Sequence, residues 1–241
     1  MKEGKNRRKI AFRAVVVGGV LISAAAVALY TPWVGLFGLR TITVLGNQRV
    51  SAEMIGLAAD LSRGHPLLTI SRSDVAKRVC SIPWIRSARV SRVFPNALRI
   101  EVEERVPVAH VLLSDGSCVT LADGGVVVEG ACTQDALALQ VIGAELSDPL
   151  PGGRLVEGSI AHLLDRLRTS VPSDLHIRQV DVTDLSAVVL GAETGLRILL
   201  GAIDSHAQRL ARLAVLSREM DLSAYRTIDL RLEGEATLVT W

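Results

Sequence analysis

Apolar and polar residues alternate along Trp84–His110 in two runs that meet at a Pro-Asn turn. A two-residue period belongs to strands, so each run turns one face inward. Ala88, Val90 and Phe94 share the inward phase of the first run, and Leu98, Ile100 and Val102 share it in the second. This predicts a hairpin in which Phe94 opposes Leu98 across a Pro95-Asn96-Ala97 loop. Arg92 and Glu104 break the pattern by falling in the inward phases, where an unpaired charge is costly. Arg92 therefore reads either as a side chain snorkelling out at the sheet end or as a contact for a partner.

Upstream, "RTITVLGNQRV" alternates and then breaks at Gly46-Asn47, as a half-buried strand ending in a turn does. Ser51 is an N-cap for a helix with Met54, Ile55, Ala58 and Ala59 on its apolar side, stopped by Gly64 and Pro66. A second short helix is expected from Ser71 or Ser73 to Cys80, with Val75, Ala76 and Val79 inward and Pro83 beyond it. The result is a β-α-α-β-β unit over residues 40–106.

Past Val106 come short strands separated by Asp115-Gly116 and Asp123-Gly124-Gly125 turns, then the connector "ELSDPLPGGRLVEG". A helix is expected over Ser159–Thr169 with Leu163, Leu164 and Leu167 inward. Strands follow around 177–182, 187–190 and 197–200. Asp204 or Ser205 then caps a helix burying Leu210, Leu213 and Ala214, with Arg209, Arg212 and Arg218 outward. The chain closes on strands in "RTIDLRLEGEATLVTW". The fold class is α+β, with residues 107–241 forming a mixed antiparallel sheet with helices.

Charge divides the chain differently. Residues 14–39 carry no charge, and Ala14–Tyr30 nearly suffices to span a bilayer as a helix. Arg7, Arg8, Lys9 and Arg13 precede this run. The expectation is a cytoplasmic tail over 1–13 and a single transmembrane helix over 14–33, with the bulk of the chain outside the cytoplasm. Tyr30 and Trp33 suit the interface. A cleaved signal peptide is the competing reading, disfavoured by the length of the run and the aromatics and Pro that follow it. Beyond residue 13 lie 21 of the 27 basic and 24 of the 25 acidic residues, a net charge of −3. With only 3% aromatics, that acidic remainder argues against nucleic-acid binding.

Candidate chemistry is sparse. His65, His110, His162, His176 and His206 are scattered, and no nucleophile elbow, phosphate loop or zinc motif is present in the sequence. The two Asp-Gly turns lack the ligand count of a calcium site. Cys80, Cys118 and Cys132 show no framework; small buried thiols are expected, with a Cys118–Cys132 bridge as the alternative in an oxidising compartment. The chain therefore reads as a binding protein, not an enzyme, with no cofactor and no small-molecule substrate.

Three stretches, "GLRTITVLGNQRVS", "RGHPLLTIS" and "IPWIRSARVSRVFPNALRIEVEERVPVA", resemble the POTRA module of the FtsQ/DivIB family of bacterial cell-division proteins. Gly201–Leu213 and the closing "IDLR" resemble the second domain of the same family. The resemblance implies a membrane-anchored scaffold at the division septum that recruits FtsB (also called DivIC) and FtsL and helps regulate septal peptidoglycan synthesis. It also implies that the partner adds a strand near the end of the chain, with Arg231, Leu232, Val239 and Trp241 as contacts and Arg231 facing an acidic partner residue. Relatives often carry a tyrosine where Leu232 stands. A POTRA-bearing secretion or envelope-assembly component is the alternative, for which several such modules and a barrel are expected.

Overall fold

The computed structural model describes residues 19–27, 37–132, 139–171, 175–232 and 235–241. Its contacts divide the chain into two units, one holding residues up to Cys80 with Ser87–Glu103, the other Ser81–Arg86 with Glu104–Trp241. Residues 19–27 are helical and exposed. Among the described residues no helix is long and apolar enough to cross a membrane. The expected tail over 1–13 lies outside the described residues, as does most of the expected span over 14–33.

The first unit runs β1 (Thr41–Leu45), α1 (Ala52–Ala59), a short 3-10 turn (Leu67–Thr69), α2 (Arg72–Val79), β2 (Ile85–Val93) and β3 (Ala97–Glu104). Its sheet has the order β1-β3-β2, with β1 parallel to β3 from Thr41↔Ala97 to Leu45↔Glu101. Ser51 and Ser71 cap the helices by accepting from the amides of Met54 and Asp74, which satisfies donors that a helix start leaves open. Arg78 of α2 donates from Nε and Nη2 to the Ala59 carbonyl and so closes the other end of α1. Ile55, Ala59, Val75, Val79, Leu98 and Ile100 are buried together with Val90 and Val102, the period-two and helical stripes of the sequence turned inward.

Phe94 departs from expectation. The turn occupies residues 94–96, one position earlier than the expected loop, so β2 ends at Val93 and Phe94 belongs to the turn. It is 59% exposed, its ring edge-on to Phe37 at 6.1 Å between centroids.

The second unit is a nine-stranded sheet in the order β12-β11-β10-β9-β8-β7-β4-β5-β6. Its strands are β4 (Pro107–Leu112), β5 (Cys118–Ala122), β6 (Val126–Glu129), β7 (Gln140–Ile142), β8 (Ile177–Asp181), β9 (Val188–Ala192), β10 (Arg197–Gly201), β11 (Tyr225–Asp229) and β12 (Thr237–Thr240). Helices α3 (Gly158–Ser170) and α4 (His206–Glu219) pack on each other, α3 also on β4 and α4 on β10. Leu163, Leu164, Leu210 and Leu213 meet Val111, Leu121, Val180, Leu190, Ile198 and Ile228 in one core.

The sheet is less uniformly antiparallel than the sequence implies. β7 pairs parallel to both β4 and β8, and β10 pairs parallel to β11. Parallel neighbours need a crossover, and α3 and α4 lie in the connections that supply one to β8 and one to β11. Cys118 and Cys132 form a disulfide, and Thr120 Oγ1 donates to the Ala131 carbonyl beside it.

Candidate functional site

The two edges of the nine-stranded sheet are finished differently. Along β6, Val127 N–H donates to the Gly153 carbonyl at 2.8 Å and Gly152 N–H to the Val127 carbonyl at 2.8 Å, so the segment before α3 covers that edge. At the opposite end β12 pairs antiparallel with β11, from Asp229↔Thr237 to Tyr225↔Thr240, and is the last strand of the sheet. Its outer side is paired to no other described strand. An uncovered strand edge presents main-chain donors and acceptors to any extended chain that matches it.

Alternation sets the two faces of β12. Leu238 opposes Ile228 and packs against the core, while Val239 is 50% and Trp241 67% exposed on the other face. A Cβ on Gly195, at φ +86, would stand 3.2 Å from Cη2 of Trp241, so the indole lies over the β9–β10 turn and not in the core.

The other end of the edge is built by arginines. Arg231 donates from Nε to both carboxylate oxygens of Asp229, at 2.9 and 3.1 Å, and from Nη2 to Oδ2 at 2.6 Å; its own amide donates to Oδ1 at 3.0 Å. The side-chain hydrogen bond from Arg231 is the main reason the Asp229 carboxyl is held below the usual aspartate range, against the opposing effect of partial burial. Arg209 reaches from α4 to the Arg231 carbonyl, and Arg212 to the carbonyls of Leu232 and Glu235. Both arginines were expected to face outward. They fold back instead because the carbonyls between β11 and β12 need donors that the ladder does not supply. Gly201, at φ +74, makes this possible, since a Cβ there would come within 2.8 Å of Arg209 Nη1 and 2.9 Å of Arg231 Cγ.

Four of the five expected contact residues thus lie on the last two strands of the sheet, Arg231 and Leu232 just past the end of β11 and Val239 and Trp241 along and after β12. Leu232 is 62% exposed. Arg92 belongs to the first unit. It is half-buried, and its Nη2 donates to the carbonyls of Leu68 at 3.2 Å and Ile70 at 2.7 Å, which partners one end of the inward guanidinium while Nε is buried without a hydrogen bond among the described residues. Sequence reasoning missed Asp229, although its two-residue spacing from Arg231 puts both on one side of an extended chain.

A metal is not served by the nearest ligand cluster. His110, Cys118 and Cys132 bring ligand atoms within 4.8 Å of one another, but the two sulfurs are joined as a disulfide and offer no thiolate.

Residues 37–105 match the POTRA domain of FtsQ type. The cell division protein FtsQ of Mycobacterium leprae is 31% identical over 204 residues, covering 84% of this chain and 57% of the relative. The chain belongs to the FtsQ/DivIB family. FtsQ of Mycobacterium tuberculosis is likewise 31% identical over 207 residues, with 86% and 62% covered. FtsQ of Corynebacterium glutamicum is 24% identical over 209 residues, covering 86% of the chain and 90% of the relative. The chain therefore spans about three fifths of the length of the mycobacterial FtsQ proteins. Within the family match, the FtsQ-type POTRA segment begins at Phe37, three residues before the expected boundary at Arg40, and the structure gives those residues partners in the first unit: Leu67 N–H donates to the Phe37 carbonyl and Leu39 N–H to the His65 carbonyl.

Proposed function

We propose that the protein is a single-pass scaffold of the cytoplasmic membrane at the division septum, with its N-terminus cytoplasmic, that binds FtsB/DivIC-like and FtsL-like partners and through them helps regulate septal peptidoglycan synthesis. Binding is by strand addition: a partner segment pairs with the outer side of β12, Arg231 meets an acidic partner residue, and Leu232, Val239 and Trp241 supply apolar contacts. The observation that carries this reading is the contrast between the covered edge at β6 and the open one at β12. Main-chain pairing supplies affinity on such an edge and the flanking side chains supply selectivity. The work done is binding, with no cofactor or small-molecule substrate in the scheme.

The test is co-purification from dividing cells of the full-length protein, its Arg231→Glu variant and a variant lacking residues 236–241. Loss of the FtsB/DivIC-like partner from both variants, with the remaining chain folded by circular dichroism and the protein still at midcell, is the expected outcome. Partner recovery equal to that of the unmodified protein in both variants overturns strand addition.

A further inference from the structure

One end of the first unit gathers three segments that are distant in sequence. Leu39 N–H donates to the His65 carbonyl at 2.8 Å, Leu67 N–H to the Phe37 carbonyl at 2.9 Å, and Arg40 N–H to the Asn96 carbonyl at 2.8 Å. Arg92 ties the third segment to the second through the Leu68 carbonyl. Residues 37–40, 62–70 and 92–97 therefore form one rim. Their charged residues are Arg40, Arg63 and Arg92, without a single Asp or Glu.

The same rim exposes apolar side chains. Leu68 is 61% and Phe94 59% exposed, with Val93 at 37% beside them and Phe37 against the Phe94 ring. Arg40 and Arg63 are exposed and line a groove with Gly38, Leu39 and Gly64. Bulky apolar groups next to cations, with no carboxylates among them, match the boundary of a bilayer, where Leu and Phe enter the acyl margin and Arg meets lipid phosphate.

Position selects the occupant. Phe37–Leu39 close the uncharged run 14–39, and Arg40 is the first charge after it. The rim is thus the part of the first unit to which the expected membrane segment connects directly. We infer that this rim docks on the anionic phospholipid surface of the membrane that anchors the chain, fixing the orientation of the first unit there. The inference rests on the anchored reading above. It is independent of strand addition at β12.

The full-length protein, with Cys80→Ser and a single Leu68→Cys carrying an environment-sensitive dye, is placed in nanodiscs of phosphatidylglycerol or of phosphatidylcholine that contain a nitroxide-lipid quencher. Cys118 and Cys132 remain paired and unlabelled. A Leu45→Cys label serves as the control, since Leu45 lies at the far end of β1, about 13 Å from Thr41 at ~3.3 Å per residue. The dye at Leu68 is expected to be quenched in phosphatidylglycerol and to escape quenching in phosphatidylcholine, with the dye at Leu45 unquenched in both. Arg40→Gln and Arg63→Gln should each lower the docked-to-free ratio about fivefold. Equal quenching in the two lipids, equal quenching at the two positions, or indifference to both arginine changes overturns the inference. A chain inserted in the disc with Leu68 in water overturns it alone, whereas a chain that does not insert overturns the anchored reading along with it.

Discussion

Nη2 of Arg231 stands 2.6 Å from Oδ2 of Asp229, two residues back along the chain, and Nε contacts both oxygens of the same carboxylate. The cation at the start of the open edge is therefore oriented before any partner arrives. Its side chain is still 56% exposed, against 22% for Asp229, so a second carboxylate can approach from the solvent side. An arginine has donors enough to bridge two carboxylates, and one already held in place loses less freedom when it binds the second.

Charge changes at this pair should separate its two roles. Arg231→Glu sets two carboxylates side by side and is expected to abolish partner capture. Asp229→Asn leaves the cation but removes its orienting partner, and capture should weaken less than with Arg231→Glu. Affinity capture with the folded state checked by circular dichroism reads both.

The pair also predicts a pH response. Because the folded Asp229 has a depressed pKa, the stabilisation it adds is complete above the ordinary aspartate value and is lost as pH falls through the folded one. The pair should thus make its full, pH-independent contribution to thermal stability between about pH 5 and 8 and should lose it progressively below about pH 4. Asp229→Asn should remove that acid-limb component, and pH-dependent melting of the two proteins compares them.

Prolines at consecutive positions of β12 can distinguish pairing with β11 from pairing with a partner. Successive amides of a strand point to opposite sides, so of Val239→Pro and Thr240→Pro one removes an amide bonded to β11 and the other an amide facing out. One variant is expected to lose partner capture at nearly unchanged melting temperature, and the other to melt lower. Two variants that melt like the original and both retain capture would exclude this part of β12 as the docking edge.

Arg92 is tested through the carbonyls it serves. Arg92→Ala leaves the Leu68 and Ile70 carbonyls without their charged donor and should destabilise the first unit by about 2 kcal/mol. Hydrogen exchange at residues 67–70 should quicken, and urea unfolding gives the energy. Unchanged exchange there would return Arg92 to the partner-contact reading.

The Cys118–Cys132 disulfide closes a loop with a sequence separation of 14. Replacing both cysteines by serine should cost about 3 kcal/mol in the second unit, as loop-closure entropy predicts for that length. Denaturant unfolding of the two forms measures it.

The first unit was legible in the sequence because its signals are local. Serine caps, a two-residue period through Val90, Leu98, Ile100 and Val102, and helical spacing through Ile55, Ala59, Val75 and Val79 each need only a short window of chain. Phe94 escapes the two-residue period because a one-residue change in where the turn begins takes it out of the strand. β7 was not legible at all. Three residues around a buried Val141 carry no period, and they form a strand because β4 and β8 stand on either side with the matching register. Helical phase turns Arg209 and Arg212 outward, a rule blind to the unsatisfied carbonyls that draw them back.

By itself the sequence determined the α+β class, the order of most elements, the family, and a closing strand with Arg231 ahead of it and Trp241 at its end. These follow from periodicity, capping and motif, which act between near neighbours along the chain. Only the tertiary structure decided that β12 is an edge while β6 is covered, that Asp229 holds Arg231, and that Phe37, Leu68 and Phe94 share one rim with Arg40 and Arg63. Each of those is a relation between segments brought together by long-range pairing, whose register and neighbours depend on the packing of the whole sheet and are not encoded in any single window of residues.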